Sequence, residues 1–304
     1  MKPVLELKEI SKKFKKKEVL STVSFSIEKG ECVALLGKNG AGKSTLLNII
    51  LNLFYPTSGE ITVNETKREI GFLSQKTQFP DDITIQEMLD FISSFSEKPL
   101  TSVEIEKVLG FSKEKYNQLV YTCSGGEQRL FDMCLAIMNR PKLLIIDEPT
   151  SGMDTSTRQH FWQIVKTLKE AGTTILFTTH YIEEVDYCAD RVILLDRGII
   201  RADNTPYHLR TLNKKKEVSI EKKVYQQFEE ELEKIIVTNE LLVTTKNDVL
   251  TLVFKNEQTR TIIAELLQMG LPFDNVEITN TSLLETIFES GIDDERSELS
   301  VSAN

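Results

Sequence analysis

Apolar and polar residues alternate through residues 1–30, with Leu5 and Leu7 and then Val23, Phe25 and Ile27 in phase, and Gly30 closes the run. A period of two predicts antiparallel strands that bury one face, and the lysine-rich stretch Lys12–Lys17 predicts the turn between them. Cys32–Leu36 is a short apolar run of the kind that forms a fully buried strand, and Leu46–Phe54 reads as helix. From Asp81 to Tyr121 the periodicity is mostly helical, with Thr84, Thr101 and Ser112 as N-caps. Leu143–Ile146 and Thr174–Phe177 are again short apolar strands, each followed by polar residues. Strands alternating with helices predict a mainly parallel α/β sheet, with ligands at the carboxyl ends of its strands.

The pattern changes near residue 213, where Asn213–Lys216 reads as a linker. Beyond it come a strand at Val218–Ile220 and one helix carrying Val224, Phe228, Leu232, Ile235 and Ile236 on a single face. Two strands, Leu241–Thr245 and Val249–Phe254, flank a turn at Asn247-Asp248. A helix bearing Ile262, Ile263, Leu266 and Leu267, a strand at Val276–Thr279 and a short helix near Leu283–Phe288 complete the series. The order β-α-β-β-α-β predicts a small α+β, ferredoxin-like unit. The acidic, serine-rich tail 293–304 has the composition of a disordered segment.

Composition narrows the picture only a little. Of 304 residues, 40% are hydrophobic and 27% charged, an ordinary balance for a globular chain. The net charge of -9 argues against a nucleic-acid binder that works by neutralising phosphates. Cys32, Cys123, Cys134 and Cys188 are widely spaced, which predicts reduced thiols rather than disulfides or a zinc site. No stretch approaches the roughly 20 apolar residues of a membrane span, so any membrane role is expected to run through a partner.

The chemistry lies at the strand ends. Gly37-Lys-Asn39-Gly40-Ala41-Gly42-Lys43-Ser44-Thr45 is a Walker A loop between a strand and a helix. Its glycines let backbone N–H groups close around phosphates, and the following helix points its positive end at them. In that geometry Lys43 bridges the β- and γ-phosphates, Ser44 offers its hydroxyl to Mg²⁺, and Thr45 meets the α-phosphate. Leu143–Ile146 followed by Asp147-Glu148 reads as a Walker B strand, with Asp147 on Mg²⁺ through water and Glu148 polarising the attacking water. An apolar strand ending in two acids is also a common surface pattern. Ser124-Gly125-Gly126-Glu127-Gln128 opens a helix and makes a second phosphate-binding end, although a glycine-rich helix start alone would look the same.

Taken together and in this order, the motifs of residues 3–210 resemble the ATPases of ABC transporters, and Ser124–Gln128 is similar to their signature. The resemblance implies a P-loop NTPase cassette over residues 1–212: a RecA-like core with an antiparallel β subdomain and a helical subdomain at about 81–140. It implies a dimer in which the signature of one subunit closes over the ATP held by the other. It carries over further roles. Phe14 matches the aromatic that stacks on adenine. Gln75 matches the Q-loop glutamine that touches Mg²⁺. Asp154, in Ser151-Gly-Met-Asp154, matches the D-loop across the dimer. His180 matches the switch histidine on the γ-phosphate. Thr178-Thr-His-Tyr-Ile-Glu-Glu184, Cys188-Ala-Asp-Arg-Val, Asp196-Arg-Gly and Thr205-Pro look like the subgroup paired with ABC-2-type permeases, whose C-terminal extensions resemble residues 216–290 within the C-terminal unit 213–292. Ser282–Phe288 is similar to the motif ending such extensions.

The resemblance thus implies an ATP- and Mg²⁺-dependent ATPase on the inner, cytoplasmic face of a membrane. It would be held there by a separate permease, paired with a second ATPase subunit and driving export. The rival class, a soluble ABC ATPase acting on nucleic acid or ribosomes, usually carries two cassettes or a long insertion. This chain has one cassette, a short interval from Gln75 to Ser124 and an acidic balance. A regulatory ligand on the C-terminal unit has no visible pocket chemistry. Four positions depart from the family pattern: Lys38, Cys123, Glu127 and Leu130, while Arg129 is retained. Glu127 is expected to bring a negative charge near the partner's triphosphate and weaken closure, with Ser124 and the backbone N–H groups remaining the main ligands. The lysines around Phe14 read as a solvated turn or as a weak attractor for ATP or anionic headgroups.

Overall fold

The computed structural model describes residues 2–150, 152–211, 215–246, 248–272 and 276–281. The chain divides into two compact units between Pro206 and Tyr207, upstream of the composition shift at residue 213. The first unit begins β1 (Leu5–Phe14), β2 (Lys17–Ile27), β3 (Cys32–Leu36), α1 (Lys43–Ile50), β4 (Ser58–Val63) and β5 (Ile70–Leu73). It continues α2 (Ile85–Ser93), α3 (Ser102–Leu109), α4 (Gly125–Ile137), β6 (Leu143–Ile146), α5 (Thr155–Glu170), β7 (Thr174–Thr179), α6 (Ile182–Cys188), β8 (Arg191–Asp196) and β9 (Ile199–Asn204). Helix α7 (Pro206–Thr211) spans the division.

β1 pairs antiparallel with β2 and β4, and the register Leu5↔Ile27 and Leu7↔Phe25 stacks the alternating apolar residues on one face. The central sheet runs β5-β6-β7-β3-β8-β9, parallel from β5 to β8 with β9 antiparallel at the edge. Its inner strands read as unbroken apolar runs because both of their faces are buried. One core joins the two sheets: Val33, Leu35, Ile145, Leu176 and Ile193 meet Leu46 and Leu47 of α1 and Leu5 and Leu7 of β1. Because β3, β5, β6 and β7 are parallel, their carboxyl ends align at one sheet edge. The pairs Leu36↔Thr179, Ile146↔Phe177 and Leu73↔Ile146 fix that alignment.

Local signals set several helix starts in the first unit. Thr84 and Thr101 cap α2 and α3 in boxes with Glu87 and Glu104, and Ser124 caps α4 in a box with Glu127. Ser112 precedes only a 3₁₀ turn, Lys113–Asn117, rather than a helix. α1 stops at Ile50 instead of reaching Phe54, because Asn52 turns left-handed (φ 57°) and Phe54 leaves to pack edge-on against Phe14.

The second unit contains β10 (Lys215–Glu221), α8 (Lys222–Tyr225), α9 (Glu229–Thr238), β11 (Leu242–Lys246), β12 (Val249–Lys255), α10 (Thr259–Gln268) and β13 (Val276–Thr281). Its antiparallel sheet has the order β11-β12-β10-β13, the ferredoxin-like arrangement anticipated from the element order. Val218, Ile220, Leu250, Leu252 and Phe254 of the sheet bury against Leu232, Ile262 and Leu266 of the helices. The single helix expected from Val224 to Ile236 is broken in two. Gln227 and Phe228 bond three residues back, to Val224 and Tyr225, and Phe228 leaves helical geometry. Asn247, the helix expected near Leu283–Phe288 and the tail 293–304 lie outside the described residues.

Candidate functional site

The loop after β3 builds a cradle from backbone geometry. Gly37 passes so close to β8 that a Cβ there would sit 2.4 Å from the Leu195 carbonyl oxygen, so only glycine fits. Gly42 adopts φ 107° as the N-cap of α1, a conformation that side chains rarely tolerate. Ala41 is buried, and its carbonyl accepts from Gly198 N–H at 3.0 Å, which ties the loop to the β8–β9 turn. Lys43 begins α1 and is buried. Its ammonium donates to the Gly37 carbonyl at 2.7 Å and the Lys38 carbonyl at 3.1 Å, and pairs with Glu148 Oε1 at 3.0 Å.

Glu148 is where the strand ends converge. It follows β6 with φ 41°, a strained conformation held by a bond from its N–H to Thr178 Oγ1 at 2.9 Å. Its Oε1 faces Lys43, and its Oε2 accepts from Gln75 Nε2 at 3.0 Å and lies 3.5 Å from His180 Nδ1. Four segments remote in sequence therefore meet at one carboxylate. Asp147 beside it is buried, its N–H bonded to Leu73 O and its Oδ1 accepting from Thr178 Oγ1 at 2.5 Å. Thr178 thus orients both acids. The sequence places Thr178 at the head of the motif Thr178–Glu184 but assigns it no role of its own, because nothing in the spacing brings it to Asp147 and Glu148.

Above these groups opens a cavity of about 830 Å³. Asn39, Gly40, Ser44 and Thr45 line it together with Lys43, Gln75, Glu148 and His180. Lys17, Lys38 and Arg197 add cations, against Glu18 as a further acid. Cations gathered at a helix N-terminus below a glycine-rich loop suit a polyphosphate. Gly37, Ala41 and Asp147 shape the cavity from behind without lining it.

Other candidates lie outside the lining. The Phe14 ring is 5.7 Å from Phe54, with the Lys12 ammonium 4.9 Å above it, and is partly exposed. Asp154 caps α5: its Oδ1 accepts from Ser156 N–H at 2.9 Å and Thr157 N–H at 3.0 Å, and its Oδ2 from the Thr157 hydroxyl. Those bonds hold its carboxyl far below the usual range. Ser151 is outside the described residues. At the signature turn, Ser124, Gly125 and Gly126 form the start of α4. Gly126 packs so near Thr157 that a Cβ would meet its Cγ2 at 3.0 Å. Glu127 is not the bare charge expected from the sequence. It accepts from Ser124 N–H at 2.9 Å and is ion-paired to Lys115.

Two buried groups tie this machinery together. Arg129 of α4 donates to the carbonyl oxygens of Pro149 (2.8 Å), Asp147 (3.0 Å) and Ser74, and pairs with Asp132, which in turn accepts from Thr77. The signature helix is thereby fastened to the segments carrying Gln75 and Glu148. Glu184 of α6 accepts from the hydroxyls of Thr150 and Thr179, linking the segment after Glu148 to the strand end before His180. Burial pushes the carboxyls of Asp132 and Glu184 upward.

A glycine-rich cradle after the first strand of a parallel sheet, with acids at the end of the strand two places along, defines a P-loop nucleotide-binding cassette. Residues 20–151 match the family described as ABC transporter. The chain is also 36% identical over 216 residues to the linearmycin resistance ATP-binding protein LnrL of Bacillus subtilis, spanning 66% of this chain and 69% of that one. It belongs to the ATP-binding, ATP-hydrolysing subunits of the ABC transporter family. The Nod factor export ATP-binding protein I of Rhizobium etli is 34% identical over 218 residues, spanning 67% of this chain and 69% of that one. Among solved structures, the post-hydrolysis dimer of the cassette MJ0796 with ADP and Pi superposes with a TM-score of 0.60 at 26% identity. It covers 66% of this chain and 98% of that one. A putative metal-chelate type ABC transporter in an inward-facing conformation shares the fold, with a TM-score of 0.60 at 21% identity over 86% of this chain and all of that one.

Proposed function

We propose that this chain is one half of a nucleotide-sandwich dimer that closes around two ATP molecules and drives export through separate ABC-2-type membrane subunits. The observation that carries this reading is the convergence of Lys43, Gln75 and His180 on Glu148. Among the described residues no helix is long and apolar enough to cross a membrane, so the work is delivered to a partner. The name of the Rhizobium relative, an export ATP-binding protein, supports export as the direction.

In this reading Lys43 and the N–H groups of residues 40–45 hold the β- and γ-phosphates, and Thr45 the α-phosphate. Phe14 stacks on adenine after its ring turns from Phe54. Glu148 takes a proton from water as the water oxygen attacks the γ-phosphorus. The bond to the bridging oxygen breaks, leaving ADP and phosphate. His180 and Gln75 hold the carboxylate and the γ-phosphate in register. Ser124, Gly125 and Gly126 meet the γ-phosphate held by the second subunit, with Asp154 fixing the adjoining loop. The oxygens of Ser44 and Gln75, with Asp147 acting through water, are a hard donor set that would hold Mg²⁺. When bound, that ion neutralises phosphate charge. The C-terminal unit serves interaction or dimer stabilisation.

Phosphate release by the wild-type chain and by Glu148→Gln, with light scattering at saturating Mg-ATP, tests this. Loss of turnover by about 100-fold or more, with the variant trapped as an ATP-dependent dimer, is expected. Unchanged turnover in Glu148→Gln removes the assigned base, and a monomer under all conditions removes the homodimeric sandwich.

A further inference from the structure

We propose that Lys115 is a positioning residue of the signature turn, neutralising Glu127 so that the start of α4 meets a triphosphate as a net-positive end. This rests on the reading that Ser124–Gly126 faces nucleotide held by a second subunit.

Glu127 occupies the third position of α4, and both its oxygens are engaged. Oε2 accepts the Ser124 N–H at 2.9 Å, while Glu127 N–H bonds back to Ser124 Oγ at 3.3 Å. Oε1 is paired with the Lys115 ammonium, delivered by the 3₁₀ turn Lys113–Asn117. That ammonium also lies 5.1 Å from the centre of the Phe111 ring, which limits where it can swing. The pair is partly shielded: the side chains are 21% and 34% exposed. Lys115 beside Glu127 holds its carboxyl below the usual range.

The consequence is electrostatic. The first turn of a helix carries about half a positive charge, which is what lets it bind an anion. A lone carboxylate three residues in cancels that charge and repels a triphosphate. Paired with Lys115, Glu127 keeps its capping bond and adds no net charge. Lys115 therefore acts through Glu127 and need not touch the nucleotide.

Four full-length chains test it: wild type, Lys115→Met, Glu127→Gln and the double variant. Each is assayed for ATP hydrolysis across ATP concentrations at low and high salt, and for thermal midpoint. Lys115→Met is expected to lose about five- to tenfold in kcat/KM, carried mainly by KM and shrinking at high salt. Lys115→Arg, added as a fifth chain, is expected to restore it. Added to Glu127→Gln, Lys115→Met is expected to be silent. A full loss in the double variant relative to Glu127→Gln, or no loss in Lys115→Met, overturns the proposal. If Lys115→Met alone does not fold, the comparison within the Glu127→Gln background still decides. Absence of hydrolysis in all four, wild type included, strikes the ATPase reading instead. The carboxyl titration of Glu127, followed by carbon NMR, then decides the pair by itself. A value below the usual range that rises in Lys115→Met supports it, and an unchanged one overturns it.

Discussion

Lys43 Nζ lies 3.0 Å from Glu148 Oε1, so the cation that grips phosphate and the carboxylate that activates water hold one another. The ammonium has three N–H donors, and the carbonyls of Gly37 and Lys38 take the other two. A γ-phosphate must win at least one of them from its present acceptor. Glu148→Gln weakens that competitor. Its affinity for a non-hydrolysable ATP analogue, measured by calorimetry, is expected to rise by about fivefold, the size of one charge-assisted bond after solvent exchange. A weaker affinity in the variant contradicts the competition.

Arg129 is buried at the junction of three segments, and Asp132 depends on it. Arg129→Met strands a buried carboxylate and frees three carbonyls, so a loss of about 3–5 kcal/mol in urea unfolding is expected. Arg129→Met/Asp132→Leu is expected to recover part of that loss, because replacing both members of a buried pair removes the stranded charge. If the double variant is no more stable than the single one, the pair is not what Arg129 contributes.

Glu184 has a different task, since its two acceptors join Thr150 to Thr179 across the nucleotide edge. Glu184→Ala leaves two buried hydroxyls without their acceptor and is expected to cost about 1–3 kcal/mol. Steady-state kinetics are expected to show kcat falling more than KM rises, because His180 follows Thr179 directly. Glu184→Gln, with one acceptor kept, falls between. A change in KM alone would assign Glu184 to nucleotide binding.

Acid sensitivity has a readable source at Glu104. Arg140 first, and then the Thr101 cap, lower its carboxyl from the ordinary 4.5 to about 2. A lowered folded-state value stabilises the fold fully above the ordinary value, and that contribution is lost as pH falls from about 4.5 towards 2. Arg140→Met is therefore expected to flatten the dependence of the unfolding midpoint on pH in that window. An unaltered pH profile would show that the pair does not persist in solution.

The limits of sequence reading are clear at particular residues. The Asn39–Thr45 loop was legible because its function is local: consecutive backbone N–H groups and the start of one helix make the cradle. The ferredoxin-like order was legible from alternation and turn residues. Ser112 and Leu51–Phe54 were misread, because a cap residue or an apolar run sets no boundary when Asn52 or an aromatic contact turns the chain away. Nothing in the spacing pairs Lys115 with Glu127, or places Arg129 against Pro149.

The sequence by itself determined which strands are buried, where the phosphate cradle lies and which acids follow the strand Leu143–Ile146. It did so because period, glycine content and residue order act over a few bonds. The tertiary structure alone decided that Glu148 touches Lys43, Gln75 and His180, that Thr178 orients both acids and that Lys115 cancels Glu127. Those contacts depend on the parallel register of β3, β5, β6 and β7 and on how α4 packs beside them. A side chain's charge is written in the sequence, but the partner that sets its effect is chosen by the fold.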